Sequence, residues 1–177
     1  SKNKAKDKYM WVLTRLNTIL SKLSHSLAML IVAIMVMALS LSAITRYISG
    51  TGYDWLIELP PILVCWLVFP LLGPLLKEGN HIQVDFISSV VPSNVILYIK
   101  VAMNMTAFLA SLVFFKAGYD ATMLYYRLGQ MMELELDIPI WWMYLSFPVG
   151  FIILALFSIE MTIQSFLEAR EPDKEKS

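Results

Sequence analysis

The sequence predicts an all-α integral membrane protein: four transmembrane helices with both ends in the cytoplasm, and an N-terminal amphipathic helix before the first span. Three observations carry that prediction. Of 177 residues 58% are hydrophobic and 16% charged, far from the roughly 25% charged residues of a soluble domain. Four apolar stretches have about the 20 residues needed to cross the hydrocarbon core as a helix, the form in which a chain in lipid satisfies its own backbone. The basic residues divide unequally between the two sides those spans create.

The N-terminal segment, residues 1–24, repeats apolar residues at three- and four-residue spacing: Tyr9, Val12, Leu13, Leu16, Ile19, Leu20 and Leu23, with Lys8, Arg15 and Lys22 off the stripe. Such a helix either lies in the membrane interface with its cations on headgroups or extends the first span below it, with Ser24-His25-Ser26 as the bend if it turns. Residues 25–166 form the four-helix domain, with spans at about 27–47, 55–76, 95–126 and 139–164. The first is too long, and lacks a following cleavage site, to be a signal peptide. Pro60-Pro61 fit near the first turn of the second span, whereas Pro70 and Pro74 predict a kink or break. The third, continued through Lys116 and Asp120 to Arg127, is about 45 Å long and must tilt or project. Residues 167–177 form a charged cytoplasmic tail.

With the N-terminus inside, Lys2, Lys4, Lys6, Lys8, Arg15, Lys22, Lys77, Lys100, Arg170, Lys174 and Lys176 are cytoplasmic, and only Arg46, Lys116 and Arg127 are outside. Fourteen basic residues balance fourteen acidic ones, so net charge points to no nucleic-acid partner. Cys65 is alone, which excludes an internal disulfide.

Chemistry-bearing patterns are few. No Ser-His-Asp set, metal-ligand cluster or phosphate-cradling loop appears, which points away from an enzyme. His25 and His81 are the only histidines, and both fall near the cytoplasmic face. A pair of histidines is the one feature that admits a haem- or quinone-associated anchor of a respiratory enzyme. Glu58, Lys100, Lys116 and Glu160 lie within reach of span ends, where snorkelling accommodates them. Asn104 and Thr106, deeper in the third span, are expected to bond to a neighbouring helix.

Three interfacial patterns remain. Arg46, then Asp54 and Glu58 around Trp55, place a cation at the end of one helix and acids at the start of the next. His81-Ile82-Gln83-Val84-Asp85 follows Gly73 and Lys77-Glu78-Gly79, with His81 and Asp85 on one face if helical. Asp137-Ile138-Pro139 opens the last span, with Trp141 and Trp142 at headgroup depth and Pro148 inside it.

In this order the patterns resemble the small membrane subunit of tripartite ATP-independent periplasmic (TRAP) transporters. That family shows an Arg ending helix one, a Trp-x-Glu-Glu-like opening of helix two, a Gly, a His-Ile-x-Val-Asp-like motif and a Pro before helix three. Here these are Arg46, Trp55 with Glu58, Gly73, His81 to Asp85 and Pro92; Gly118 and the Pro139-to-Pro148 region are also similar. Ile57 departs, standing where the family has the first of two glutamates.

The resemblance implies a non-catalytic subunit in the bacterial inner membrane that scaffolds a large elevator-type membrane subunit. It further implies sodium-coupled uptake of an organic acid anion delivered by a periplasmic binding protein. Substrate and sodium sites would lie on the large subunit, leaving this chain with membrane lipids and protein partners and no cofactor of its own. Arg46, Trp55, Glu58, His81, Asp85, Trp141 and Trp142 are then candidate partner-interface residues, and Glu133, Glu135 and Asp137 candidate docking residues for the binding protein.

Overall fold

The computed structural model describes residues 2–79, 92–135 and 137–170. Helix α1 (Lys2–Ser49) is followed by α2 (Trp55–Val68), a 3-10 turn at Phe69–Leu71, and α3 over residues 72–79. Then come α4 (Ser93–Leu128), the short α5 (Ile140–Tyr144) and α6 (Ser146–Arg170). Four candidate spans result: Tyr9–Ser49, Trp55–Gly79, Val95–Leu128 and Ile140–Leu167, each long and apolar enough to cross a membrane. His81 and Asp85 lie outside the described residues.

Helix α1 does not bend at Ser24-His25-Ser26. It runs unbroken for 48 residues, about 72 Å at 1.5 Å per residue, so the N-terminal segment extends the first span. Tyr9, Val12, Leu16, Ile19 and Leu23 face outward, while Asn17 turns into the bundle. Gly50 ends the helix at φ +68°, its amide bonding the Arg46 carbonyl, and Gly129 ends α4 at φ +61°. Both are left-handed C-terminal positions that glycine occupies without strain.

The prolines shape the other two spans. Because α2 begins at Trp55, Pro60 and Pro61 fall in its second turn rather than its first, leaving the Leu56 and Ile57 carbonyls without their i+4 amides. Pro70 sits in the 3-10 turn that separates α2 from α3, the expected break. Pro148 lies at the third position of α6, in its first turn. Lacking the amide that would reach Tyr144, it accounts for the interruption between α5 and α6.

Helix α6 is central. It packs against α4 on one side and against the 3-10 turn, α1 and α2 on the other, while α1 packs mainly on α2. Glycines set the closest approaches. A Cβ on Gly73 would meet Phe157 at 2.7 Å and Ile153 at 2.8 Å, and one on Gly118 would meet Phe147 at 2.9 Å. At Gly150 it would overlap the backbone of Phe69. Much of the interior is small and polar: Ser24, Ser42, Ser111, Ser146, Ser158 and Ser165 are buried, whereas Leu30, Val36, Met37, Val113 and Phe114 are exposed. Ser111 and Ser158 donate to carbonyls of their own helices and Ser146 to the Met143 carbonyl of α5, so close packing does not strand these hydroxyls. A bundle with small residues between helices and large apolar ones outside is built for lipid.

Candidate functional site

The polar residues gather at the two ends of the bundle. At the outer end, meaning the end where α1 stops, Arg46 reaches to 3.9 Å from Asp54 across the turn. Its stem folds over Gly52, where a Cβ would stand 2.5 Å from Nε. Both charged groups are more than half exposed, so the pair contributes little by itself. The Asp54 side chain precedes α2 without accepting a capping bond. That role falls to Glu135, from the connection between α4 and α5, whose Oε2 accepts the Trp55 amide at 3.0 Å. In return the Glu135 amide donates to Glu58 Oε2, also at 3.0 Å. Each acid thus receives a backbone amide from the other's segment, much as in a capping box split across two elements.

The connection that carries Glu135 is itself ordered by a bridge between Met131 and Pro139, with Met132 donating to the Ile138 carbonyl at 2.9 Å. Aromatic residues seat it on the bundle. Tyr126 meets Trp141 edge-on at 5.5 Å, Tyr125 stacks on Tyr144 at 4.5 Å, and Trp66 Nε1 donates to the Trp142 carbonyl at 3.1 Å. Glu133 and Asp137 remain exposed, with no side-chain bond to any described residue.

The split clamp yields a direct test. Glu135→Ala is expected to speed hydrogen exchange at the Trp55 amide, and Glu58→Ala at the Glu135 amide. Each loses about 0.5–1 kcal/mol of local protection, the worth of an exposed cap. Unchanged exchange at both amides would remove the clamp.

At the opposite end the structure assembles a cluster that the sequence did not announce. Glu160 of α6 is fully buried rather than snorkelling. Its Oε2 accepts from Asn17 Nδ2 at 2.6 Å, and its Oε1 accepts from Lys77 Nζ at 3.2 Å and Gln164 Nε2 at 3.1 Å. Asn17 Nδ2 also donates to the Leu156 carbonyl at 3.2 Å. Two acceptors on one side of the amide fix its orientation and turn Oδ1 away, where this buried atom has no hydrogen-bond partner. Three elements, α1, α3 and α6, therefore meet on one carboxylate.

Nearby, His25 Nδ1 lies 2.8 Å from the Ser21 carbonyl and Nε2 lies 3.4 Å from Glu78 Oε1. Both ring nitrogens face oxygen acceptors within the chain. Asn104 bonds across helices, to Ser165 Oγ at 3.5 Å, as expected. Thr106 does not; its hydroxyl donates to the Ala102 carbonyl one turn back in α4. Among the described residues no group of three or more His, Cys, Asp or Glu is placed to hold a metal ion.

Comparison with protein families finds a match to "Tripartite ATP-independent periplasmic transporters, DctQ component", over residues 34–168, about three quarters of the chain. The chain belongs to the DctQ family. Among individually curated proteins none matches. Membership makes the chain a component of a transporter, and with four apolar helices a multi-pass membrane protein. The DctQ match spans Arg46, the Glu58–Glu135 clamp, the glycine contacts and Glu160, and it stops short of Asn17. Ile57 stands where the family resemblance leads one to expect another acid, and the Trp55 amide two residues before it is met by the Glu135 carboxylate from 80 positions away in sequence.

Proposed function

We propose that this DctQ-family chain is the static small membrane subunit of a sodium-coupled importer in the bacterial inner membrane. In this reading it braces a larger elevator-type subunit that takes up an organic acid anion from a periplasmic binding protein. The observation that carries the proposal is the family match, joined to the placement of charge. At one end Arg46 pairs with Asp54 and Glu58 accepts the Glu135 amide, Lys77 and Glu160 close on each other at the other, and small side chains fill much of the space between.

The excess of basic residues around the N-terminus, Lys77 and Arg170 supports a cytoplasmic N-terminus and a periplasmic Glu58–Glu135 clamp. The helices α1 and α4 flank α6 and present apolar faces, such as Val32 and Val36 on one and Leu109 and Val113 on the other, to lipid and to the partner subunit. A domain that moves through the bilayer needs a wide fixed neighbour to move against, and added spans with interfacial tryptophans supply it.

Reconstitution tests the reading. Liposomes holding the large subunit, with binding protein and a sodium gradient, should accumulate substrate only when this chain is present. The chain alone should move none; uptake by the chain alone, or full uptake without it, would end the proposal. For docking, Glu133 and Asp137 are the carboxylates left free by the clamp. Glu133→Gln with Asp137→Asn should slow binding-protein-dependent uptake about ten-fold at low ionic strength and less as salt rises. Equal uptake at every salt concentration would exclude these residues as the docking surface.

A further inference from the structure

We propose that the outward face of α1 seats a helix of the large membrane subunit that runs out of the bilayer alongside it, with a carboxylate set against Arg15. The owner of that helix rests on the reading of this chain as a small transporter subunit; its chemistry rests on α1 alone. Asn17, Ser24, Ile31 and Ala38, seven residues apart, are buried against the bundle. Leu16, Leu23, Leu30, Met37 and Ile44, also seven apart, are exposed, and so is Tyr9 one repeat earlier. Val12 and Ile19 fall between them at three- and four-residue spacing and are exposed too. A repeat of seven holds one helix face against another over many turns. Helix α1 carries two such seams, one filled by the bundle and one open.

Lipid covers only part of the open seam. About 20 residues of helix cross the hydrocarbon, and counted back from Ile44 they end near His25. The headgroup layer adds about 5–8 Å. At 1.5 Å per residue Leu16, Val12 and Tyr9 stand about 14, 20 and 24 Å beyond the hydrocarbon, and α1 does not bend to bring them back. Because one face stays open on both sides of the headgroups, the occupant that fits it is a helix continuous with a membrane span. Ser26, Ala33 and Ser40, exposed at the alternate positions inside the bilayer, let such a span come close. Charge narrows the fit. Arg15 borders the seam with its guanidinium over the Trp11 ring, 4.7 Å from the centroid. That contact positions the cation without using its N–H donors, and among the described residues no acid pairs with it. An arginine held in this way suits a carboxylate. A second copy of α1 does not supply one. Antiparallel, it would set Arg15 against another basic edge; parallel, against Leu20, which is half-buried in its own bundle.

The test uses the chain purified together with the large subunit. The photo-crosslinker p-benzoylphenylalanine, placed at Val12, should attach to a helical segment of the large subunit that carries Asp or Glu within one turn of the attachment point. The same probe at Leu128, at the far end of α4, should not reach that segment. In titrations of labelled chain with large subunit in micelles, Arg15→Ala should weaken association about five-fold and Arg15→Glu about ten-fold. Changing the mapped acid to lysine should recover most of the Arg15→Glu loss. Leu16→Gln with Ile19→Gln should weaken association about thirty-fold, since both side chains leave water in the complex. All three residues are exposed, so their replacement leaves the bundle packed.

A large subunit that co-purifies but is never reached from Val12 would overturn the proposal and leave the subunit assignment standing. Attachment to a second copy of this chain, or to a soluble protein, would overturn it as well. So would an Arg15→Glu chain that associates as tightly as the native one. Failure of the native chain to co-purify with any large subunit would end both this proposal and the reading on which it rests.

Discussion

Replacing Lys77 with methionine is expected to destabilise the bundle by about 3 kcal/mol, because it strands the Glu160 carboxylate where no water reaches it. Removing one partner of a buried ion pair costs about 3–5 kcal/mol, and the lower end applies here because about a third of the Lys77 side chain is exposed. The double variant Lys77→Met with Glu160→Met removes both charges and should recover to within about 1 kcal/mol of the native protein, since well-packed apolar replacements of buried pairs are often neutral. Asn17 keeps its bond to the Leu156 carbonyl in that background. Unfolding midpoints in mixed micelles measure the series. A Lys77→Met protein as stable as the native one would show that the pair does not hold the three helices.

The second large effect is expected at Gly150. Even alanine there places a Cβ onto the backbone of Phe69, and backbone cannot step aside as a side-chain tip can. Either α6 moves off the 3-10 turn or the turn itself deforms, and overpacking of this kind costs about 1–3 kcal/mol. The damage should spread through the contacts Phe69 makes with Phe147 and Phe151, at ring separations of 4.0 and 6.0 Å. Gly79→Ala is the matched control: it meets nothing within 4 Å, so it should be neutral or slightly stabilising through helix propensity. Thermal unfolding of the two variants side by side decides the matter, and equal midpoints would refute it.

The contrast between these two glycines shows what the sequence could and could not disclose. Spans are legible because lipid imposes a length and a composition on each one separately; the break at Pro70 is legible because proline acts on its own helix, whereas the interruption before Pro148 was read as part of one continuous span. Glu160 was not legible. Read locally it is a carboxylate two turns from a charged tail, and its partners Asn17 and Lys77 lie 143 and 83 positions away. Asn17 sits off an apolar stripe, so it reads as facing water, yet it is the buried side of α1 and the stripe faces outward. One local hint existed: Gln164 stands one turn after Glu160, a spacing that lets an amide reach a carboxylate.

The outer end repeats the lesson. Asp54, Trp55 and Glu58 mark the start of α2 in sequence, but the acid that caps it comes from the far connection, whose position depends on the aromatic stacking of α4 and α5. Asn104 was read correctly and Thr106 was not, because a threonine hydroxyl in a helix can always turn back to its own i−4 carbonyl, whereas an asparagine amide reaches across.

The unbroken α1 has a mechanical consequence. Its outermost side-chain anchors are Asn17 on α6 and Arg46 across the turn to Asp54, 29 residues or about 44 Å apart along a single helix, with His25 on Glu78 and the packing on α2 between them. A rod supported at both ends resists sideways load far better than one hinged at its middle, where a bend at Ser24-His25-Ser26 would have put the hinge. A sideways load anywhere along α1 is divided between these anchors and the packing on α2. The weaker of them, the exposed ion pair at the outer end, is where such a load would first produce slip.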